Sequence, residues 1–302
     1  MRFGGSGADG ALTVTSGTTN IDCGAARVVI KNYTSISITG TGKVTFSNPH
    51  ANGTIIILRS QGDVTLTSTA TAPILDASAM GAVGGTAVTS GTPANGNSGT
   101  DGQGIYKKTN LGTGSTDLAA GSGGAAPSSF ISTAIGHFYW ALRYHWAVPG
   151  AGGGSGMVNS SGGDDSSGKG GRGGGVLIIE CGGAWNFTIS SGISVAGENG
   201  GNGAVTGSGY GMGGGGGGGG FFLALYNTLT SNSGTVNVAG GTGGNMACSG
   251  FGAGTYAGAG GGGSIAGAGS GGSNPGTCGS SKNGGDGANG LSVVDSAASF
   301  YA

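Results

Sequence analysis

Hydrophobic residues along this chain stand either in compact strings or in strict alternation with polar ones. The strings include Ile55-Ile56-Ile57-Leu58, Val176-Leu177-Ile178-Ile179 and Phe221-Phe222-Leu223-Ala224-Leu225-Tyr226. The alternating stretches include Ser35-Ile36-Ser37-Ile38 and Val64-Thr65-Leu66-Thr67. Alternation puts every second side chain on one face of a strand, and short apolar runs bounded by turn residues also predict strands. The expected turn residues follow at Thr39-Gly40-Thr41-Gly42, Gln61-Gly62-Asp63, Ser191-Gly192 and Ser233-Gly234. The fold class predicted is all-β, with essentially no α-helix.

These strands recur as a unit. Val176-Leu177-Ile178-Ile179-Glu180 aligns with Phe221-Phe222-Leu223-Ala224-Leu225, and Ser194-Val195-Ala196-Gly197 aligns with Asn237-Val238-Ala239-Gly240. A looser copy runs through Thr54–Leu58, Val64–Thr67 and Ile74–Ser78, and a fourth through Arg27–Ile30, Ser35–Ile38 and Lys43–Ser47. Three short strands in about 25 residues suit the rung of a parallel β-solenoid, in which each unit stacks on the last. An antiparallel sandwich or meander is the rival arrangement for the same strands.

Composition changes the picture next. Of 302 residues 78 are glycine, and residues 1–80 hold only 10 of them. Most of the rest fall in tracts at roughly 81–104, 150–175, 197–220 and 239–290. Glycine-rich, weakly charged sequence commonly forms flexible linkers, but apolar strings cut these tracts into pieces. Glycine recurs at every third position in Gly96/Gly99/Gly102, Gly168/Gly171/Gly174, Gly197/Gly200/Gly203 and Gly284/Gly287/Gly290. A period of three is that of the extended polyproline-II-type helix, which has no internal hydrogen bonds. Helices of this type with a glycine face can approach closely enough to bond backbone to backbone, so polyglycine-II helices inserted between β rungs are expected. At this glycine content some such registers arise by chance, and the run Gly213 to Gly220 fits any register.

The chain therefore reads as residues 1–80, β-rich N-terminal rungs; 81–175, a glycine-rich insertion; and 176–302, two further rungs with long glycine tracts. Charge is sparse, with 11 Lys and Arg against 12 Asp and Glu and a net charge of −1. That argues against nucleic acid as a partner, and the absence of a long apolar stretch argues against membrane insertion. The start Met1-Arg2-Phe3-Gly4-Gly5 lacks the apolar core of a signal peptide.

Few residues point to chemistry. Gly163-Asp164-Asp165-Ser166-Ser167-Gly168-Lys169 matches the start of a phosphate-binding loop, but Gly170 stands where Ser or Thr is required to hold Mg²⁺. Cys23, Cys181, Cys248 and Cys278 have neither Cys-x-x-Cys spacing nor nearby histidines, so no metal or other cofactor is expected. Cys248 and Cys278 share the last glycine-rich segment and form a candidate disulfide; the alternative is that all four cysteines are small buried hydrophobes. Asp164, Asp165 and Asp286 are candidate Ca²⁺ ligands or plain solubilising charges. No close carboxylate pair of the kind that cleaves glycosides is present, and the chain is not expected to be an enzyme.

One segment breaks the pattern. Residues 130–148 include Phe138, Tyr139, Trp140, Tyr144, His145 and Trp146, flanked on both sides by glycine-rich sequence. Aromatic rings with a polar edge stack on sugars and anchor protein contacts, so these six are the candidate partner-binding residues. The alternative is an apolar plug that caps the rungs or joins subunits.

With tracts such as Gly197-Glu198-Asn199-Gly200-Gly201-Asn202-Gly203 set after β-structured segments, the chain resembles the glycine-rich tail-fibre and adhesin proteins of tailed bacteriophages. It is also similar to glycine-rich repetitive surface proteins of environmental bacteria. The resemblance covers mainly residues 81–302 and rests on composition and these tracts. It implies a non-enzymatic fibrous protein at the extracellular or virion surface, whose partners are copies of itself and a cell-surface glycan or protein receptor. A self-assembling filament subunit is the alternative. Ice binding through threonine rows such as Thr13/Thr15 and Thr65/Thr67, or through a flat glycine bundle, is a third expectation.

Overall fold

The computed structural model describes residues 3–70, 73–90, 92, 94–104, 107–116, 121–125, 128–129, 147–160, 165–188, 192–250, 258–273 and 284–298. Among these only Ala297 and Ala298 are helical. The regular structure is β, as the alternation predicts.

The strands form three parallel ladders. In the first, Ala11–Val14 pairs with Ser35–Ile38, which pairs with Val64–Leu66; that strand pairs with the end of Val176–Phe187, and the end of Phe221–Asn232 follows. The second runs Thr18–Asp22, Lys43–Ser47, Leu75–Asp76, Ile193–Ser194 and Val236–Asn237. The third runs Val28–Tyr33, Ile55–Ser60, the start of Val176–Phe187, the start of Phe221–Asn232, and Leu291–Ser296. The two long strands join the first and third ladders into an eight-stranded sheet, while the second is a separate five-stranded sheet.

The pairing register coincides with the alignment of the sequence repeats: Val176 faces both Ile55 and Phe221, and Ser194 faces both Asp76 and Asn237. Two strands at the start, Ala11–Val14 and Thr18–Asp22, add a partial copy before the four read from sequence. Inward residues from all three ladders share one core, including Ile36, Ile38, Val44, Ile56, Leu58, Leu177, Trp185, Phe187 and Phe222. At roughly 1.5–3 kcal/mol for each large apolar side chain taken out of water, this core is the main source of β-body stability.

The outer face of the third ladder is also apolar. Ile55, Ile57, Val176, Ile178, Phe221 and Leu223 pack there with Ala147, Val148 and Ile265, and Phe3 lies against the cluster. On the same face Arg59 and Glu180 form a buried ion pair at 3.2 Å. The N-terminal residues lie across the neighbouring corner. The Asp9 amide donates to the Asn32 carbonyl at 2.8 Å, the Asn32 amide donates to Asp9 Oδ2 at 2.6 Å, and the Thr34 amide donates to the Gly10 carbonyl at 2.7 Å.

The corner between the second and third ladders carries the glycine-rich sequence. In the first copies the chain turns it within residues 23–27 and 48–54. Later copies instead leave the second ladder as 77–85, 195–203 and 238–245, and return to the third as 168–175, 212–220 and 284–290. Further passes run through 94–103, 107–116, 121–125, 147–157, 258–263 and 268–273. Neighbouring passes bond laterally, backbone to backbone, at every third residue.

Segment 212–220 shows the rule. The amides of Gly214, Gly217 and Gly220 donate to Gly201, Glu198 and Val195; those of Gly215 and Gly218 donate to Gly154 and Ala151; those of Gly216 and Gly219 donate to Gly285 and Ala288. All are 2.7–2.9 Å long. Its carbonyls accept from three further segments, at Gly171 and Gly174, Gly241 and Gly244, and Ala259 and Gly262. Segments 150–156 and 258–263 are likewise bonded to six neighbours each, and these three inner segments are bonded to one another. The other nine segments close a single shell around them. Three mutually adjacent rods in hexagonal packing have nine outer neighbours, so among the described residues the inner layer is complete.

This packing determines which positions must be glycine. A Cβ built on any residue from Gly214 to Gly220 would overlap a backbone carbonyl oxygen of another segment: that of Arg172 at Gly217, and that of Gly263 at Gly218. Outer segments meet the interior on only part of their circumference and carry glycine there. Gly197, Gly200 and Gly203, and likewise Gly284, Gly287 and Gly290, face carbonyls of segment 211–220. The outward positions hold polar side chains that bond the next outer segment. Asn199 Oδ1 accepts from the Thr242 amide at 2.9 Å, Asn202 Oδ1 from the Asn245 amide at 2.8 Å, and Asp286 Oδ1 from the Gly243 amide at 2.8 Å.

Two stability measurements follow. In urea unfolding, Gly217→Ala loses about 1–3 kcal/mol, the usual cost of overpacking. Gly267→Ala, where an added Cβ would meet nothing within 4 Å, leaves stability unchanged. Glu180→Ala removes the carboxylate that faces the buried Arg59 guanidinium and is expected to destabilise the fold, whereas replacing the pair together by Met and Leu is expected to cost less.

Candidate functional site

The glycine segments have two ends, one at the β-body and one far from it. At the far end lie residues 86–90, 158–160, 165–167, 204–211 and 246–250. Val158–Ser160, Gly209–Gly211 and Ala247–Ser249 form an antiparallel sheet there. Met157, Tyr210, Met212 and Met246 make a small apolar cluster beneath it, with Cys248 against its edge. Asn159 Nδ2 donates to the Tyr210 hydroxyl at 2.8 Å, so the one polar atom of that ring is satisfied. Asp165, fully buried, accepts the amides of Thr206 and Gly207 and holds the adjacent turn. This tip has a packed foundation of its own, although the inner segments leading to it are almost wholly glycine.

The six aromatic-segment residues Phe138, Tyr139, Trp140, Tyr144, His145 and Trp146 lie outside the described residues. Ala147 and Val148, which follow them, are buried on the outer face of the third ladder, at the β-body end of the glycine segments. Of the candidate disulfide, Cys248 is disulfide-bonded, and Cys278 lies outside the described residues. Cys23 and Cys181 are free and buried. Burial pushes both thiols up from an ordinary value near 9 to about 11; the Asp22 charge adds to the rise at Cys23, and backbone amides oppose it at both.

The phosphate-loop match dissolves into structural contacts. Gly163 and Asp164 lie outside the described residues, and Asp165 holds a turn. Lys169 pairs with Glu198 across neighbouring outer segments. Arg172 donates from Nε to the Gly81 carbonyl at 3.0 Å and from Nη2 to the His50 carbonyl at 2.8 Å. Burial lowers the Arg172 pKa, and Glu198 partly offsets that. Lys169, Arg172 and Glu198 line a cavity of about 240 Å³ with Val83, Gly84, Gly85, Thr86 and Gly170. Its charged groups are committed to holding segments 77–85, 168–175 and 195–203 together. The sequence reading missed this cluster, whose only linear signal is the outward spacing of Lys169 and Arg172 in a glycine register. Among the described residues no group of three or more His, Cys, Asp or Glu is placed to hold a metal ion, and no helix is long and apolar enough to cross a membrane.

The chain matches no protein-family model, no curated protein and no solved structure.

The raised thiol values set a pH dependence. Because the folded thiols ionise later than unfolded ones, the unfolded state releases protons first, and this contribution to stability falls as pH rises from about 9 to about 11. At pH 8 iodoacetamide is expected to leave Cys23 and Cys181 unmodified in the folded protein and to alkylate both after unfolding in urea, as read by mass spectrometry.

Proposed function

We propose that the chain is a non-enzymatic fibrous protein of the extracellular or virion surface, a receptor-binding component of tail-fibre or adhesin type. In this reading the three ladders are the faces of a β-solenoid that serves as a stem, and each repeat unit is one rung. The laterally bonded glycine segments are a bundle of polyglycine-II helices, and the loops at its ends meet a cell-surface glycan or protein. The observation that carries the reading is the closed inner layer of segments 150–156, 212–220 and 258–263, built almost wholly from glycine backbone. Such an interior supplies no acid, base or nucleophile, but it fixes chain positions at many lateral bonds worth about 1 kcal/mol each. Side-chain variety is confined to the outer segments and the turns, which is the arrangement a rigid scaffold for recognition needs. Phe138, Tyr139, Trp140, Tyr144, His145 and Trp146 are proposed as partner-binding residues.

A filament subunit is the second reading, and the stack ends favour it. Val28 and Ile30, on the edge strand of the third ladder, are 41% and 39% exposed, and Leu291 on the opposite edge strand is 36% exposed. Strand edges with apolar side chains invite another copy to continue the ladders.

Sedimentation with bacterial cells or envelope fragments, paired with electron microscopy, separates the two. The adhesin reading expects discrete particles that bind a subset of cells, with binding lost in Trp140→Ala/Trp146→Ala at unchanged melting temperature. Unlimited filaments without cell binding would replace it with the second reading.

A further inference from the structure

The outer face of the first ladder differs from those of the other two. Its outward positions fall into columns that cross the strands. One column is Thr13, Ser37, Thr65, Asn186 and Ser231, in direct register. The next is Thr15, Thr39, Thr67, Thr188 and Ser233, where the ladder bonds continue from the amides of Thr39, Thr67, Thr188 and Ser233 to the carbonyls of Val14, Ile38, Leu66 and Phe187. Each of the first four rungs therefore presents a polar, uncharged pair separated by one buried residue, whereas in the fifth the intervening Asn232 is exposed. The pattern survives the long excursion between Thr67 and Asn186, across which nothing in chain continuity requires it.

The outer face of the second ladder is a comparison within the same molecule. It carries Asp22, Lys43 and Asp76, and its side chains bond one another: Asn20 Nδ2 donates to Ser47 Oγ at 2.8 Å, Thr45 Oγ1 donates to Asn20 Oδ1 at 3.2 Å, and the Ser78 and Ser194 hydroxyls lie 2.6 Å apart. In the two columns of the first ladder, charge is absent, and no side-chain hydrogen bond to another described residue is formed. The hydroxyls of these two columns are left to water.

Their spacing is what identifies a ligand. Neighbouring parallel strands are about 4.8 Å apart, and alternate residues about 6.6 Å apart along a strand. Water oxygens bonded tetrahedrally at about 2.75 Å have second neighbours at about 4.5 Å and, in the hexagonal crystal, an axial repeat of about 7.3 Å. The two rectangular nets agree to within about a tenth in both directions. A charged side chain would hold its own hydration shell and break such a match. Thr and Ser instead supply one donor and acceptor per lattice point, and the Thr methyl group leaves adjacent water without a competing partner.

We infer that the outer face of the first ladder binds ice, presenting Thr15, Thr39, Thr67 and Thr188 and their neighbouring column to the crystal surface. The inference goes beyond receptor recognition and does not depend on it. It also distinguishes between two surfaces, since the glycine bundle exposes backbone and mixed charge rather than this net.

The test uses the full chain, with thermal hysteresis and retention in a slowly grown ice hemisphere as readouts. Wild type is expected to enter the ice and to depress the freezing point below the melting point. Thr39→Lys/Thr67→Lys is expected to lose both activities with its melting temperature unchanged, and Thr13→Lys/Thr65→Lys reads the neighbouring column the same way. Thr18→Lys, on the second ladder, keeps wild-type behaviour. Wild type excluded from ice like an ordinary solute would overturn the inference. So would a folded Thr39→Lys/Thr67→Lys protein that enters ice as well as wild type.

Discussion

The structure depends on backbone groups bonding backbone groups across distances that no Cβ tolerates. Ordering a glycine costs more conformational entropy than ordering any other residue, and it buries no side chain in return. An isolated extended glycine segment therefore does not persist. A set of them does once each amide and carbonyl has a lateral partner, because the bonds then scale with the number of neighbours. Segments 150–156, 212–220 and 258–263 reach the limit of six neighbours.

That constraint explains why the β-body and the glycine segments form one structure. A lateral lattice needs its members placed in register before bonding begins, and the ladders supply this. Gly171 and Gly174 bond Gly215 and Gly218 immediately before Val176 pairs with Phe221. The apolar core of Leu177, Trp185 and Phe222 fixes the strands, and the strands fix the starting points of the glycine segments. Stability flows from hydrophobic burial in one half to hydrogen-bond geometry in the other. Function, on the proposal made here, is left to surfaces: turns at the ends, and polar columns on a flat face.

Much of the ladder arrangement was legible because alternation encodes a face. Ile36 and Ile38 point inward and Ser35 and Ser37 outward, as a period of two requires. The alignment of whole units gave the register as well. Ala11–Val14 was overlooked because Ala11 stands at an exposed position of the alternation, where a polar residue would mark it, and Thr18–Asp22 because only Ile21 of its five side chains is buried. The period-three glycines faced neighbouring carbonyls, yet the most interior segment showed no period at all. Gly213 to Gly220 is uninformative as a pattern because every side of it is a packing side. The candidate aromatic site lies outside the described residues. The Lys169, Arg172 and Glu198 cluster was hidden because its members come together only through lattice packing.

Native-state amide hydrogen exchange, followed by NMR on glycine-labelled protein, tests the central claim most directly. Gly214 to Gly220 are expected to exchange as slowly as Ile56 to Leu58 in the β-body core, and to gain exchange only with global unfolding. Glycine amides exchanging at the rate of an unfolded chain, while the core strands remain protected, would contradict the account.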